Sequence, residues 1–559
     1  EQLRLVETHY TNFARQGAAL NKDQKAKLAE INKKLAGLFT AFQQNQLHDE
    51  ESQWVILEKE DELAGLPESL RAAMKNEADN KKLKGKWVIT NTRSSAEPFL
   101  TYSSRRDLRE KVFKMWTSRG DSPGEHDNKP LMAQILALRG ERAKLLGFKS
   151  HAHWIIDDNM AKTPDAAMSL MMRVWKAATA RVKEEVADMQ KVADAEKAGH
   201  KIEAWDYRFY AEKVRKEKYD LDQDQIKEYL QLDKMREAMF WAAGQLYGLE
   251  FKQIKNVPTY QKDMTVYEVV RDGKHVGLWY FDPYARAGKN SGAWMSEYRT
   301  QENFKNAVTP IVSNNCNYVK TKAGKPVLIS WDDANTLFHE FGHALHGLNS
   351  AVHYPTLAGT NTKRDFVEFP SQVNEHWLST PEVLTKFCVH YKTGKPIPQD
   401  LVDKIKKAKN FNQGFGTVEY LACAIYDLKI HTLPGDKIDL AKFYADTMKE
   451  IGLPAEITMR HPPAAFAHIF SSDGYSAGYY SYMWADTLTA DAAEAFEEAK
   501  SFYDKTTAKK LHDNIMSVGN SISPEQAFRQ FRGRDVDTNA LMRDRGFPVV
   551  AAVPAPKKK

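Results

Sequence analysis

The chain has 559 residues, and its 80 Lys and Arg exceed its 74 Asp and Glu by only six. That balance leaves no electrostatic footprint for nucleic acid, and no apolar run is long enough to span a bilayer. Cys316, Cys388 and Cys423 exclude a dense disulfide framework and a thiolate metal site, so buried free thiols are expected. In chain order, the first half reads as helix after helix. Leu28, Ile31, Leu35, Leu38 and Phe42 recur at helical spacing, with Lys and Glu on the other faces. Further helices are predicted over 105–116, 129–146 and 164–198. The lysines of 213–218 read as a solvated helix face rather than a patch for acidic partners.

After Phe251 the texture changes. Segments 265–270 and 275–281 alternate in hydrophobicity around Asp272-Gly273, a pair suited to a type I′ hairpin turn. Segments 308–312 and 327–330 read as two more short strands, so a small antiparallel sheet is expected here. An exposed edge of such a sheet can pair with an extended peptide.

The next stretch, Phe338-His339-Glu340-Phe341-Gly342-His343-Ala344-Leu345-His346, carries the chemistry. Residues four apart share one face of an α-helix, so His339 and His343 can both turn an imidazole toward one zinc ion. Glu340 follows the first histidine, and its carboxylate can reach a nearby water without being a ligand. Gly342 is unfavourable in mid-helix and predicts a close neighbour packed against its backbone. Asp332 or Asp333 is expected to cap this helix, and Asp332 is also placed to hold the other N–H of His339. A catalytic zinc needs a third protein ligand. His346 is the nearest candidate, but three ligands on consecutive turns of one straight helix do not easily enclose a tetrahedral ion. Glu368 and Glu375 are better placed, and their spacing of seven does not choose between them.

Helices are expected again from Pro381. The run Ser471-Ser472-Asp473-Gly474-Tyr475-Ser476-Ala477-Gly478-Tyr479-Tyr480-Ser481-Tyr482 interrupts them with tyrosines and glycines. Taken alone it reads first as packing, since phenols are neutral hydrogen-bond donors that also fill cores. Residues 549–559 are Pro- and Ala-rich and end in three lysines, which predicts a disordered tail.

The run HEFGHALHG followed by RDFVEFPSQVNEHW resembles the thimet-oligopeptidase family of zinc peptidases, especially its dipeptidyl carboxypeptidase branch. The likeness extends to RAKLLGF, AWDYRFYAEKVRKEKYDLD, GYSAGYYSYMW and FRGRD, and so covers nearly the whole chain. It implies a mainly α fold of gluzincin type, with two mostly helical lobes around a deep channel and a small antiparallel sheet beside the zinc helix. It implies one zinc per chain, with Glu368 as the third ligand, and Glu340 as general base and then general acid. His468 and Tyr482 are implied as donors to the oxyanion. Tyr475 and Tyr479 would hold the substrate, on a loop that Gly474 and Gly478 let move. The implied activity is release of dipeptides from free C-termini of short oligopeptides by a monomer. Internal cleavage and a zinc-dependent peptide binder without catalysis are the alternatives. In two respects the chain departs from the branch. Ser471, Ser472 and Asp473 stand where it usually has glycines, which predicts a stiffer loop. The chain also begins at Glu1, without the further N-terminal segment usual in the family, so a more open channel is expected. The low cysteine count predicts a cytoplasmic protein, with the periplasm as the alternative if an export signal has been removed.

Overall fold

The computed structural model describes all residues except 287, 291, 322, 323, 436, 437 and 550–559. The expected tail, 549–559, therefore lies outside the described residues apart from Val549. The fold is mainly helical. The helix α1 (Lys22–Ser52) begins at a reciprocal capping box between Asn21 and Gln24 and buries Leu28, Ile31, Leu35 and Phe42 along one stripe. The predicted helices at 105–116, 129–146 and 164–198 are present as Arg106–Thr117, α2 (Lys129–Leu145) and α3 (Pro164–Ala195). Lys213, Lys216 and Lys218 pair at the surface with Glu196, Asp222 and Asp188, as a solvated face should.

Two large apolar cores organise these helices. One gathers α1, α2, α3 and a buried helix, α4 (Gln413–Thr432), together with Phe466, Phe470, Tyr479 and Tyr480. The other gathers 221–405 with 485–531, and Trp279, Phe338, Phe341, Phe366 and Phe369 lie at its centre. A smaller third core, built on Val55, Phe99 and Trp116, surrounds a two-stranded ribbon of β1 (Trp54–Leu57) and β2 (Trp87–Thr90).

The sheet beside the site differs from the expected one. It has five strands: β3 (Leu249–Ile254), β4 (Thr265–Arg271), β5 (Lys274–Tyr284), β6 (Trp294–Arg299) and β7 (Ile311–Tyr318). Their order is β3-β4-β5-β7-β6, and β5 runs parallel to β7, so the sheet is mixed rather than antiparallel. The hairpin between β4 and β5 is as predicted, with Asp272 and Gly273 at φ of 51° and 74°, both left-handed as a type I′ turn requires. The strand expected at 308–312 begins only at Ile311, and 327–330 forms a single bridge from Leu328 to Gln231 rather than a strand. The polar run Ser313-Asn314-Asn315 hides β7 from a hydrophobicity reading. Those residues are nevertheless buried, because they brace what lies against the sheet.

Candidate metal centre and active site

The helix α5 (Trp331–Asn349) carries the His-Glu-x-x-His run. Its N-cap is Ser330, not Asp332 or Asp333; Asp333 completes a capping box by accepting the Ser330 amide at 3.0 Å. Leu337, Phe338, Phe341 and Leu345 fix one side of α5 in the core. From the sheet, Asn314 accepts from Trp279 Nε1 at 2.7 Å and donates to the Glu340 carbonyl at 2.6 Å. The helix α6 (Arg364–Glu375) crosses α5 at Gly342, where an added Cβ would stand 2.6 Å from Ser371 Cα and 2.8 Å from the Pro370 carbonyl oxygen. That close approach is what the mid-helix glycine predicts. Asn374 of α6 also donates to the Phe338 carbonyl at 2.7 Å.

This crossing brings His339, His343 and Glu368 together, with one potential ligand atom from each within 4.8 Å of the others. Glu368 Oε2 is 3.1 Å from His339 Nε2 and 3.2 Å from His343 Nε2. Ligand atoms on a tetrahedral zinc with bonds of about 2.0–2.1 Å stand about 3.3 Å apart, so the set fits the ion. Burial opposes charge on Glu368, but the two imidazoles hold its carboxyl well below the usual range. Burial likewise opposes charge on His339, yet hydrogen bonds to Glu368 and Glu375 raise it well above the ordinary histidine value. Glu340 is buried beside these groups, and burial raises its pKa.

Of the two carboxylates left open by spacing, Glu375 takes the other role. It accepts from His339 Nδ1 at 2.6 Å and from Asn335 Nδ2 at 2.5 Å, which fixes the imidazole with Nε2 facing Glu368. Asp332 does not hold His339; it lies 3.6 Å from Arg93 on the helix Arg93–Tyr102. His346 is fully buried and is not among the ligand atoms that converge, so it is not the third ligand; burial pushes its pKa down to about 3.

The tyrosine run faces this centre from the other large core. Tyr475 donates to Glu368 Oε1 at 2.6 Å, and its ring stacks on Tyr482 at a centroid distance of 5.4 Å. His468 lies 5.8 Å from the Tyr475 ring and 5.2 Å from the Tyr479 ring, and burial lowers its pKa to about 4. It is therefore a neutral imidazole at working pH. Burial pushes the Tyr482 phenol up, so it too stays neutral. Tyr475, Tyr482 and His468 are half-buried, whereas Tyr479 is only 4% exposed and packs among Phe466, His461 and His468. Gly474 is exposed, and its amide meets Ser472 Oγ at 3.2 Å; Gly478 is buried. Neither needs a left-handed backbone. Ala477 has one instead, with φ of 53°, and its amide is held by Asp427 Oδ1 at 2.8 Å.

The loop is tied down from several sides. Asp427 also accepts the Tyr479 amide at 3.0 Å, and His431 Nδ1 lies 2.8 Å from the same carboxylate. Asp473 pairs with Arg139 at 2.9 Å and Arg142 at 2.8 Å, and Arg139 also donates to the Ile469 and Ser472 carbonyls. Tyr480 donates to Asp365 of α6 at 2.9 Å, and Gln372 donates to the Tyr482 carbonyl at 3.1 Å. Asp427, Arg139 and Glu375 were not assigned these roles from sequence, because each acts on a partner far along the chain. The one signal was Arg142, which opens the RAKLLGF segment.

Among the described residues no helix is long and apolar enough to cross a membrane, and all three cysteines are free and buried. Residues 99–547 match peptidase family M3. The chain is 38% identical over 555 residues to the dipeptidyl carboxypeptidase of Escherichia coli K12, covering 98% of this chain and 81% of that one. It is 33% identical over 557 residues to oligopeptidase A of the same organism, with the same coverage. Among solved structures, PZ peptidase A superposes with a TM-score of 0.54 at 14% identity, over 94% of this chain and 76% of that one, which supports the shared fold. The metal-ligating geometry, the fold and the matched sequence agree, and the chain belongs to the M3 family of metallopeptidases.

Proposed function

We propose that the protein is a zinc-dependent peptidyl-dipeptidase that releases dipeptides from the free C-termini of oligopeptides. The observation that carries this reading is the convergence of His339, His343 and Glu368 beside Glu340, in a chain similar along 98% of its length to dipeptidyl carboxypeptidase. The chemistry that a zinc ion held by these three residues supplies is Lewis-acidic: polarisation of a carbonyl and acidification of water. Glu340 takes the proton from the attacking water as general base and then delivers it to the leaving amine. A carboxylate whose pKa is raised by burial is better matched to both tasks than an exposed one. As charge builds on the carbonyl oxygen, the Tyr482 hydroxyl and the neutral His468 imidazole, whose rings cluster with Tyr475 beside Glu368, are the donors we assign to it. Tyr475 orients the Glu368 carboxylate and borders the substrate path. Tyr479, packed beneath, holds His468 and Tyr482 in place rather than meeting the peptide. We assign the protein to the cytoplasm, in keeping with three thiols that are free and buried, and read it as acting as a monomer.

Incubation with matched peptides, free or amidated at the C-terminus, with products read by mass spectrometry, tests the reading. Stepwise loss of dipeptides from the free form alone is the expected result. Internal cleavage of both forms would instead place the protein with the internally cutting oligopeptidases. Glu340→Gln should keep zinc and lower kcat by about 10²–10⁴-fold. Full turnover in a zinc-loaded Glu340→Gln variant would overturn the mechanism.

A further inference from the structure

The helix α7 (Ser481–Glu498) contributes side chains to both large cores, and its first turn carries Tyr482. At about 100° per residue, Trp484, Thr487 and Leu488 share a face roughly half a turn round from Tyr482. On that face lies a cavity of about 310 Å³, walled by Leu170 and Arg173 of α3, by Trp484 and Leu488, and by Val536 and Thr538. Leu170 and Trp484 pack on one large core, and Leu488 and Val536 belong with the other. The cavity therefore opens where the two cores meet, on the far side of α7 from the Tyr482 phenol. Small-molecule sites are commonly concave and mostly apolar, of roughly 300–1,000 Å³, with a few placed polar groups, and they favour such junctions.

The polar groups at this cavity carry a charge that nothing in the protein answers. Arg173 donates to Thr538 Oγ1 at 2.7 Å and to Asn539 Oδ1, which engages two of the five N–H donors of its guanidinium. Both acceptors are neutral, and Arg173 has no ion pair among the described residues. The neighbouring arginines differ. Arg532 and Arg534 pair with Asp491, Arg543 with Glu494 and Arg545 with Asp486. Thr538 and Asn539 thus fix the Arg173 fork without neutralising it. The indole N–H of the half-buried Trp484 also has no partner among the described residues, and its ring stands edge-on to Tyr480 at a centroid distance of 6.2 Å.

This combination selects one ligand chemistry. A carboxylate matches a fixed guanidinium fork, and an apolar tail removes the cavity walls from water. A neutral apolar molecule leaves the charge unanswered, and a compact inorganic anion leaves the walls wet. We propose that the cavity binds a small monocarboxylate with an aliphatic or aromatic tail, its carboxylate on Arg173 and its tail against Trp484, Leu170 and Leu488. The site is separate from the peptide cleft, and its ligand touches residues of both cores.

The test titrates the zinc-loaded chain with 4-phenylbutyrate and with its neutral match, 4-phenylbutanamide, by calorimetry. It compares the wild type with Arg173→Gln, Arg173→Lys and Leu170→Trp, whose folding is checked by circular dichroism. The acid should bind the wild type at least about tenfold more tightly than the amide. Arg173→Gln should abolish that preference, and Arg173→Lys should keep part of it, because lysine retains the charge without the fork. Leu170→Trp fills the cavity and should remove binding of both probes. Peptide turnover should keep its kcat and KM in Arg173→Gln, which separates this cavity from the cleft. Equal affinity for acid and amide, no binding up to about 10 mM, or binding that survives both Arg173→Gln and Leu170→Trp overturns the assignment.

Discussion

At the scale of single residues, the candidate metal centre depends on groups outside the set of potential ligands. Glu375 holds the Nδ1 side of His339 at 2.6 Å and is itself held by Asn335. Losing such a partner leaves the ligand free to rotate and change tautomer. Glu375→Gln is expected to weaken zinc binding by about 10–100-fold, measured by competition with a chelator, while fold and circular dichroism stay unchanged. Unaltered affinity would show that packing alone orients the imidazole. The choice between Glu368 and Glu375 illustrates what spacing omits. Seven residues apart, both sit on the face of α6 toward α5, and their distance along the α5 axis separates the one beside both imidazoles from the one behind.

At the scale of elements, two joints position the chemistry. The first is the crossing of α5 and α6 at Gly342. A methyl there meets backbone rather than a flexible side chain, at 2.6 Å from Ser371 Cα, so the helices must separate. Gly342→Ala should destabilise the protein by about 1–3 kcal/mol in chemical denaturation, despite the better helix propensity of alanine, and should loosen zinc binding. A gain in stability would mean that the crossing is softer than its geometry. The second joint is the tyrosine loop, which Asp473 ties to the fully buried Arg139. Removing that carboxylate strands a buried guanidinium. Asp473→Asn is expected to cost about 3 kcal/mol of stability and to lower kcat, because His468 and Tyr482 are carried on the segments that Arg139 holds. The pKa of Asp473 is depressed by its two arginines, so its contribution is present at neutral pH and is lost as pH falls below about 3.8.

Across the whole molecule, two cores meet at one site. The helices that carry His339, His343 and Glu368 belong to one core and the tyrosines to the other, and contacts such as Tyr475–Glu368 and Tyr480–Asp365 join them. Burial at this junction makes stability depend on pH. His468 has a folded pKa of about 4 against an ordinary value of 6.5. The unfolded chain therefore binds this proton first. Native stability is unaffected above about pH 6.5 and falls between there and pH 4, by roughly 3 kcal/mol at most. Comparing wild type with His468→Gln in denaturant titrations at pH 7.5 and 4.5 checks this. The wild type should lose more stability than the variant over that interval, and equal losses would show that His468 is not held neutral by its surroundings.

The helices and the His-Glu-x-x-His run were legible because their signals are local: 3.6-residue periodicity places Leu28 to Phe42 on one stripe, and a spacing of four places His339 and His343 on one face. The Asp272-Gly273 turn was equally local, since left-handed φ values restrict which residues stand there. Family likeness, carried by sequence, added Glu368, the peptidase fold and the tyrosine loop. The mixed sheet was not legible, because the buried polar residues of β7 have partners on α5 and β5 that no window of sequence contains. Nor was the neutrality of His468, the inward packing of Tyr479, or the clamp of Asp427, Arg139 and Asp473, since each depends on burial by elements outside any local window, in the case of Arg139 and Asp473 from opposite ends of the chain. Short-range stereochemistry thus determined which elements form and which residues bear chemistry. Only the tertiary packing decided which of them meet, because distance and desolvation exist only once the cores have closed.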